Sequence, residues 1–190
     1  MDRHLTVTGF VVHEGRLALH WHRKIQTWLP AGGHIELNED PIEAVLREIK
    51  EEFDLEAEIV QLAPRVAYNG GPKQLEPPFT VLVCPVEPGH EHVDLVYFLR
   101  ARAGFPGRSH EPGSPIHWVD SVTLRTEEGL PLAGECGPII PFAPDVRALG
   151  LEAIRLLSGD PRLAFVDDES RLGADPTTNY QSPTSGIPIL

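Results

Sequence analysis

The sequence has 190 residues, of which 41% are hydrophobic and 23% charged, as expected for a globular chain with one sizeable core. Its net charge of -12 disfavours nucleic-acid partners, because a negative surface repels the phosphate backbone. The two cysteines form neither a disulfide framework nor a zinc motif, which favours the reducing cytoplasm. No apolar run approaches the length of a membrane span, so no membrane partner is expected.

Strands are predicted where apolar and β-branched residues run together between turn signals. They cover residues 5–13, 16–21, 56–62, 79–86, 92–103 and 116–119. The first two are expected to be joined by the Glu14-Gly15 turn, and the runs 79–86 and 92–103 to form a hairpin. Residues 28–33, Trp-Leu-Pro-Ala-Gly-Gly, predict a loop whose glycines allow a sharp backbone path.

Three helices are predicted, at about residues 40–53, 120–124 and 144–157, with an irregular segment at 126–143. Asp40 or Asn38 can cap the first helix, and Pro41 suits its first turn. One domain is therefore expected over residues 1–160. Residues 161–190, rich in Pro, Ser, Thr and Asp, are expected to form a C-terminal extension or tail. If ordered, its apolar end would dock on this subunit or a neighbouring one, which leaves a homodimer open.

The first helix carries a core face and a carboxylate face. At about 100° per residue its apolar side chains form one stripe, and Glu48, Glu51 and Glu52 lie on the opposite side. The stripe consists of Ile42, Val45, Leu46, Ile49 and Phe53. Divalent cations such as magnesium prefer oxygen ligands. A glycine loop running into such a helix therefore predicts a divalent-metal site.

Residues 33–55 resemble the Nudix box, G-x5-E-x7-R-E-U-x-E-E-x-G-U, in which U is a bulky aliphatic residue. The matching positions are Gly33, Glu39, Arg47, Glu48, Ile49, Glu51, Glu52 and Leu55. The one departure is Asp54, where the family usually has glycine. Aspartate tolerates the left-handed backbone conformation better than most residues, so we expect a modest loss of stability and no loss of chemistry.

The resemblance implies an α/β fold, a Nudix-like α/β/α sandwich around a mixed β-sheet. It implies a small-molecule nucleotide substrate and Mg²⁺ or Mn²⁺ as cofactor. The reaction would be water attack at phosphorus, which cleaves a pyrophosphate bond in a nucleoside diphosphate linked to another moiety or in a nucleoside triphosphate. The implied metal ligands are the Gly32 carbonyl, Glu48, Glu51 and Glu52. The resemblance also implies that Glu39 and Arg47 form a structural pair that braces the loop against the helix.

Further site residues are expected around the box. A glutamate not fully committed to metal can act as general base, and Glu51 is the candidate. Glu111, in a loop before a predicted strand, is a candidate additional metal ligand by analogy with some Nudix enzymes. Arg23 and Lys24 precede the glycine loop and would either meet substrate phosphates or form a solvated strand end. Gly33 is expected to lie close to phosphate or metal.

Two other functions are compatible with the same fold. A Nudix-like module can bind or sense a nucleotide without hydrolysis, but such modules typically lose box glutamates, which are all present here. An isoprenoid diphosphate isomerase would need a suitably placed catalytic cysteine, for which Cys84 is the candidate. Both are weaker interpretations than hydrolysis.

Several chemically capable residues also have ordinary structural interpretations. His90, His92 and Asp94 alternate along one strand and so share a face, yet one hairpin is a poor cage for zinc without more ligands. Substrate contact or surface polarity is favoured for them, and equally for His20 and His22. Core packing is favoured over base stacking for four aromatic residues, which are Trp28, Tyr68, Phe79 and Tyr97.

Overall fold

A mixed sheet lies at the centre of the structure, a computed structural model that describes residues 2–64, 66, 70–102, 116–126, 128–132 and 137–158. Its eight described strands are β1 Asp2–His13, β2 Arg16–His22, β3 Thr27–Leu29, β4 Ala31–His34, β5 Ala57–Ile59, β6 Thr80–Glu87, β7 His90–Ala101 and β8 Ile116–Asp120. The helices are α1 Pro41–Phe53, α2 Ser121–Arg125 and α3 Pro144–Ser158. A small second sheet pairs β9 Leu130–Pro131 with β10 Ile139–Ile140.

The sheet has one parallel pair at its centre. Strands β1 and β7 run parallel, from the Asp2–His90 partners to the Val12–Arg100 partners, and the other described pairs are antiparallel. The path through the sheet is β3-β2-β1-β7-β5, with β4 also on β1, β6 on β7 and β8 on β2. The predicted pairings of β1 with β2 and of β6 with β7 are confirmed.

Helices α1 and α3 cover opposite faces of this sheet. A Cβ atom on Gly9 of β1 would lie 2.9 Å from Ile49 of α1, so that helix packs directly on β1. A Cβ atom on Gly150 of α3 would lie 2.6 Å from Leu17 of β2, whose partner in β1 is Val12. Because side chains alternate along a strand, Gly9 and Val12 point to opposite faces. The predicted α/β fold with a mixed sheet is confirmed, and we call the two surfaces the α1 face and the α3 face.

Apolar burial holds α1 against the sheet. Val45, Ile49 and Phe53 are fully buried in one cluster with Val7 and Val11 of β1. Burying a large aliphatic or aromatic side chain contributes about 1.5–3 kcal/mol, so this stripe fixes the rotation of the helix about its axis. That rotation directs the opposite, carboxylate face of α1 away from the core.

Three of the aromatic residues considered for base stacking can be placed. Trp28 and Tyr97 are buried in the core, as favoured from the sequence. Phe79 is 38% exposed and stacks on Phe98, with 4.1 Å between ring centroids. Tyr68 lies outside the described residues.

The structure corrects the prediction of a loop at residues 28–33. Trp28 lies in β3 and pairs with Trp21 of β2. Gly32 and Gly33 lie in β4 and pair with Thr8 and Val7 of β1. The glycines are therefore strand residues under a closely packed helix, a position that glycine also permits. The segment predicted as irregular, 126–143, contains the short strands β9 and β10.

The division into a domain of residues 1–160 and an extension of 161–190 stays a prediction, since residues 159–190 lie outside the described part of the chain. Within the described residues, no helix has the length and apolar character needed to cross a membrane.

Candidate active site

The ends of α1 are fixed by local hydrogen bonds. Asp40 is the N-cap, and its Oδ1 accepts from the backbone N–H groups of Ile42 at 2.9 Å and Glu43 at 3.0 Å. Glu43 Oε2 accepts in return from the Asp40 N–H at 2.8 Å, which completes a capping box. At the other end Asp54 has φ 50° and ψ 36° and donates its N–H to the Lys50 carbonyl. The left-handed conformation considered for Asp54 is therefore present.

The glycines of β4 lie directly against the carboxylate face of α1. The Gly32 N–H donates to Glu52 Oε2 at 2.9 Å. A Cβ atom at Gly33 would overlap the Glu48 carboxylate, so any larger residue would displace that side chain or the strand. Glycine at this position therefore allows the close approach of strand and helix. The structure brings four predicted site residues together here, which are Gly32, Gly33, Glu48 and Glu52.

Arg47 joins the segment after β4 to the helix. Its Nη2 and Nε donate to the two carboxylate oxygens of Glu39 at 2.7 and 3.1 Å, a bidentate pair. Nη2 also donates to the His34 carbonyl at 3.0 Å. The Arg47 guanidinium lowers the pKa of Glu39, to which the backbone N–H of Glu36 also donates. Both side chains are mostly shielded from solvent, and their hydrogen bonds connect the loop to the helix; that this pair braces the loop stays a prediction.

The same guanidinium binds the carboxylate face. Arg47 Nη1 donates to Glu48 at 2.8 Å and to Glu51 at 3.2 Å. Hydrogen bonds to Glu39, then to Glu48, raise the pKa of Arg47, which is cationic at every accessible pH. Glu48 and Glu51 thus share one cation, while Glu52 is turned toward Gly32. The side chains of Glu48, Glu52 and Glu51 are 13%, 25% and 60% exposed, so Glu51 is the most open to water.

His20 of β2 extends the site beyond the residues of the box. Its Nε2 lies 3.7 Å from Glu52 Oε2, and its ring packs edge-on against Phe53. Burial, then the neighbouring His22, lowers the pKa of His20 to about 4, so the ring is neutral at neutral pH. The contact with Glu52 is therefore not an ion pair under those conditions. His20 lies between Leu19 and Trp21 in β2, but its proximity to Glu52 depends on long-range packing that the sequence does not display.

Other predicted site residues are not part of this cluster. Arg23 and Lys24 lie in the exposed turn between β2 and β3 that follows His22, and their role in substrate binding stays a prediction. Glu111 lies outside the described residues, as does Cys136.

Cys84 is poorly placed for the isomerase interpretation. It pairs with His92 of β7, whose partner in β1 is His4, and these positions are on the α3 face, opposite the glutamates. Burial raises the pKa of the Cys84 thiol, which disfavours the reactive thiolate.

Comparisons with known proteins show the family and the fold of the chain. Residues 2–134 match the NUDIX domain family. The chain is similar to a NUDIX family hydrolase from Clostridium perfringens, with 29% identity and a TM-score of 0.64 over 83% of this chain and 99% of that one.

Two further solved structures share the fold. A MutT NUDIX hydrolase from Burkholderia pseudomallei has 20% identity and a TM-score of 0.52, over 83% of this chain and 99% of that one. The ORF135 protein of E. coli has 18% identity and a TM-score of 0.53, over 85% and 95% respectively. Among curated proteins the sequence has no significant match. Because the family match extends over most of its length, the chain belongs to the Nudix hydrolase family.

Proposed function

We propose that the protein is a divalent-metal-dependent hydrolase that cleaves a pyrophosphate bond in a nucleoside diphosphate linked to another moiety or in a nucleoside triphosphate. The observation that carries the proposal is the close approach of Gly32 and Gly33 to Glu48 and Glu52. Because glycine has no side chain, the backbone of Gly32 and Gly33 lies directly beside the carboxylates of Glu48 and Glu52. The relative from Clostridium perfringens, itself described as a hydrolase, supports the same class of reaction.

The donor set fits Mg²⁺ or Mn²⁺. Both are hard cations that take carboxylate and carbonyl oxygens as ligands and retain bound waters. Glu48, Glu51 and Glu52 would hold the ions, with the Gly32 carbonyl and, outside the described residues, Glu111 as further ligands. When bound, such ions neutralise pyrophosphate oxygens and lower the pKa of a bound water.

The protein's own residues supply positioning and proton transfer. Arg47 holds Glu48 and Glu51 side by side and ties them to the segment that follows the glycines. Glu51, the most exposed of the three glutamates, is the proposed base that accepts a proton from the attacking water. Arg23 and Lys24, in an exposed turn near His22, are proposed to meet the substrate phosphates as positive charges.

A cytoplasmic location and a homodimer complete the proposal. The two cysteines suit a reducing compartment. Val81, Val83 and Val86 of β6 are each about half exposed, and an apolar strand surface of this kind is suited to contact with a second copy. Light scattering of the purified full chain tests the dimer, and a monomer mass at micromolar concentration would reject it.

Hydrolysis is tested by phosphate and pyrophosphate release from a panel of nucleotides in magnesium. The panel contains ADP-ribose, nucleotide sugars, dinucleoside polyphosphates and oxidised nucleoside triphosphates. The wild type is expected to turn over at least one member, and chelation of the metal should abolish the reaction. Glu52→Gln retains an oxygen that can accept from the Gly32 N–H, so its fold should persist while kcat/KM falls by roughly 100-fold or more.

A matched substitution separates the site from general charge loss. Glu56→Gln removes a carboxylate that is 72% exposed just beyond α1, and it should leave kcat/KM unchanged. If the wild type binds a nucleotide but hydrolyses no member of the panel, the hydrolase proposal fails and a nucleotide-binding module is favoured.

A further inference from the structure

Four histidines from three strands meet on the α3 face. His4 of β1 pairs with His92 of β7, and His34 of β4 pairs with Thr6 of β1, so the three rings share one face. His90 lies two residues before His92, on the same side of β7. Ring centroids are 4.7 Å apart for His4 and His90, 5.0 Å for His90 and His92, and 4.8 Å for His34 and His92. Non-local pairing of β1, β4 and β7 therefore supplies the ligands that one hairpin lacks.

The ring nitrogens of this histidine cluster converge. One ligand atom from each of His4, His90 and His92 lies within 4.8 Å of the others, and no other such trio of histidine, cysteine or acidic side chains occurs in the described part of the chain. Among the described residues the glutamates of α1 form no such trio, and their carboxylates accept hydrogen bonds from Arg47 and the Gly32 N–H.

Two nitrogens of the cluster are buried without a partner. Within the described residues, Nε2 of His90 and Nε2 of His92 make no hydrogen bond and are closed off from solvent. Buried polar atoms are normally satisfied, so two such atoms in adjacent rings need an explanation. A bound cation would satisfy both nitrogens at once.

The surroundings resemble the outer shell of a metal site. Metal-bound histidines commonly direct their second nitrogen to a carboxylate or another polar group. His4 Nε2 lies 3.2 Å from Asp2 Oδ2, and His90 Nδ1 lies 3.9 Å from Glu87 Oε1. His34 Nε2 lies 3.3 Å from His4 Nδ1. Only one of the two His4 ring nitrogens can bind an ion, so either the Asp2 contact or the His34 contact would remain to orient the ring.

We propose that His4, His90 and His92 form a second metal site, specific for a borderline transition-metal ion such as Zn²⁺, with the His34 ring packed against His4 and His92. Imidazole nitrogen favours Zn²⁺, Ni²⁺ and Cu²⁺, whereas Mg²⁺ favours oxygen, so the two sites of the protein select different ions. The ion would link the first residues of the parallel strands β1 and β7. Its role would therefore be structural, and its site is separate from the glutamate face of α1.

The histidine cluster is also connected to the candidate active site. His34 follows Gly33 directly, and its carbonyl accepts from Arg47, which holds Glu48 and Glu51. An ion that fixes the His34 ring would therefore restrict the backbone next to the glycines. The direct readouts of the proposal are nonetheless metal affinity and thermal stability, which do not depend on hydrolysis.

The test is a Zn²⁺ titration of the full chain against a chromophoric chelator, in excess Mg²⁺ to fill the carboxylate site. One equivalent of Zn²⁺ should bind tightly and raise Tm. The same stoichiometry is expected for Glu52→Gln. Because loss of an outer-shell partner alone typically weakens metal binding by roughly 10–100-fold, replacing a ligand in His90→Asn or His92→Asn should weaken it by more than that.

Two controls make the assignment specific. His13→Asn removes a histidine at the far end of β1 and should retain the ion. Cys84→Ser should also retain it, although Cys84 pairs with His92 in the register. Metal-free Tm values of the variants near that of the wild type show that folding is intact. The proposal is overturned if the wild type binds no Zn²⁺ in excess Mg²⁺, if the His90 and His92 variants bind it equally well, or if Cys84→Ser loses it.

Discussion

A carboxylate oxygen of Glu48 occupies the space that a Cβ atom on Gly33 would need. The backbone at Gly33 is not in the left-handed region, so the requirement for glycine there is steric. The backbone of β4 at Gly33 is therefore in direct contact with the Glu48 side chain of α1. Glu48 can occupy this position only because residue 33 of β4 has no side chain.

This relationship predicts that Gly33→Ala lowers activity more than stability. The methyl group must push Glu48 or the strand aside, and a displacement of about 1 Å in an active site can reduce the rate roughly 100-fold. The measurement is kcat/KM in magnesium beside Tm. Gly150→Ala is a matched steric control in α3, where the new Cβ atom meets Leu17 at 2.6 Å. It should shift Tm and leave kcat/KM intact. Full activity in Gly33→Ala would contradict the steric argument.

Arg47 is expected to be irreplaceable by lysine. Its guanidinium contacts three carboxylates and one backbone carbonyl, and an ammonium group cannot reproduce the bidentate geometry to Glu39. Arg47→Lys should therefore lower both Tm and kcat/KM despite the retained charge. The measurements are thermal unfolding and steady-state kinetics under the same buffer conditions.

A double-mutant cycle measured by protein stability tests whether the Glu39–Arg47 pair holds the loop against the helix. Because Glu39 and Arg47 share two hydrogen bonds, the loss of stability in the Glu39→Gln, Arg47→Gln double variant should be smaller than the sum of the single losses. Additive effects on Tm would mean that the bidentate pair does not hold the loop. The hydrogen bond from the Glu36 N–H to Glu39 contributes to the stability loss of the Glu39→Gln variant, but it cancels from the coupling energy between Glu39 and Arg47.

Much of this site could be predicted because its information is local. The box positions lie within residues 33–55, and helical periodicity alone separates the buried Val45, Ile49 and Phe53 from the glutamates. The capping of α1 by Asp40 and the left-handed Asp54 also follow from the chemistry of single residues.

The remainder depends on contacts between distant parts of the chain. The parallel pairing of β1 with β7 brings His4 next to His92, 88 residues away, and no local pattern specifies that register. The same is true of His20 beside Glu52. The glycines of β4 were predicted as a loop because glycine usually marks a turn, whereas here it permits a helix to approach a strand.

Asp40 should stabilise the protein in a pH-dependent manner. A hydrogen bond from Lys73 at 2.6 Å, together with the capping N–H groups, lowers the pKa of Asp40 from its ordinary value of 3.8. A carboxyl group with a lowered folded-state pKa stabilises the fold above its unfolded-state pKa, and this contribution is lost as the pH falls through the folded-state value. Asp40→Ala should therefore cost about 1 kcal/mol at pH 7 by loss of the cap.

Urea unfolding of the wild type and Asp40→Ala at pH 7 and in the acid range measures this difference. It should shrink as the pH falls below 3.8, since the protonated carboxyl is a weaker cap. Lys73→Ala, which leaves the capping box intact, should cost less than Asp40→Ala. A difference that is independent of pH would show that the charge of Asp40 does not stabilise the helix.

Asp54 is the position where the sequence departs from the box, and its effect should be confined to stability. Its left-handed conformation, at φ 50°, is one that glycine adopts freely, whereas most other residues lose roughly 1–2 kcal/mol there. Asp54→Gly should therefore match or slightly exceed the wild type in Tm, and Asp54→Val should be clearly less stable. Both should retain kcat/KM, because the Asp54 side chain binds Lys50 at the helix end, away from the carboxylate face.

Lys50→Ala isolates the ion pair from the backbone effect. The Lys50 and Asp54 side chains are 52% and 44% exposed, and exposed pairs contribute little, so this variant should remain close to the wild type in stability. The glycine and valine variants then differ from the wild type chiefly through the backbone. If Asp54→Gly instead loses activity while its Tm is unchanged, Asp54 has a part in the reaction, and the departure from the box is functional.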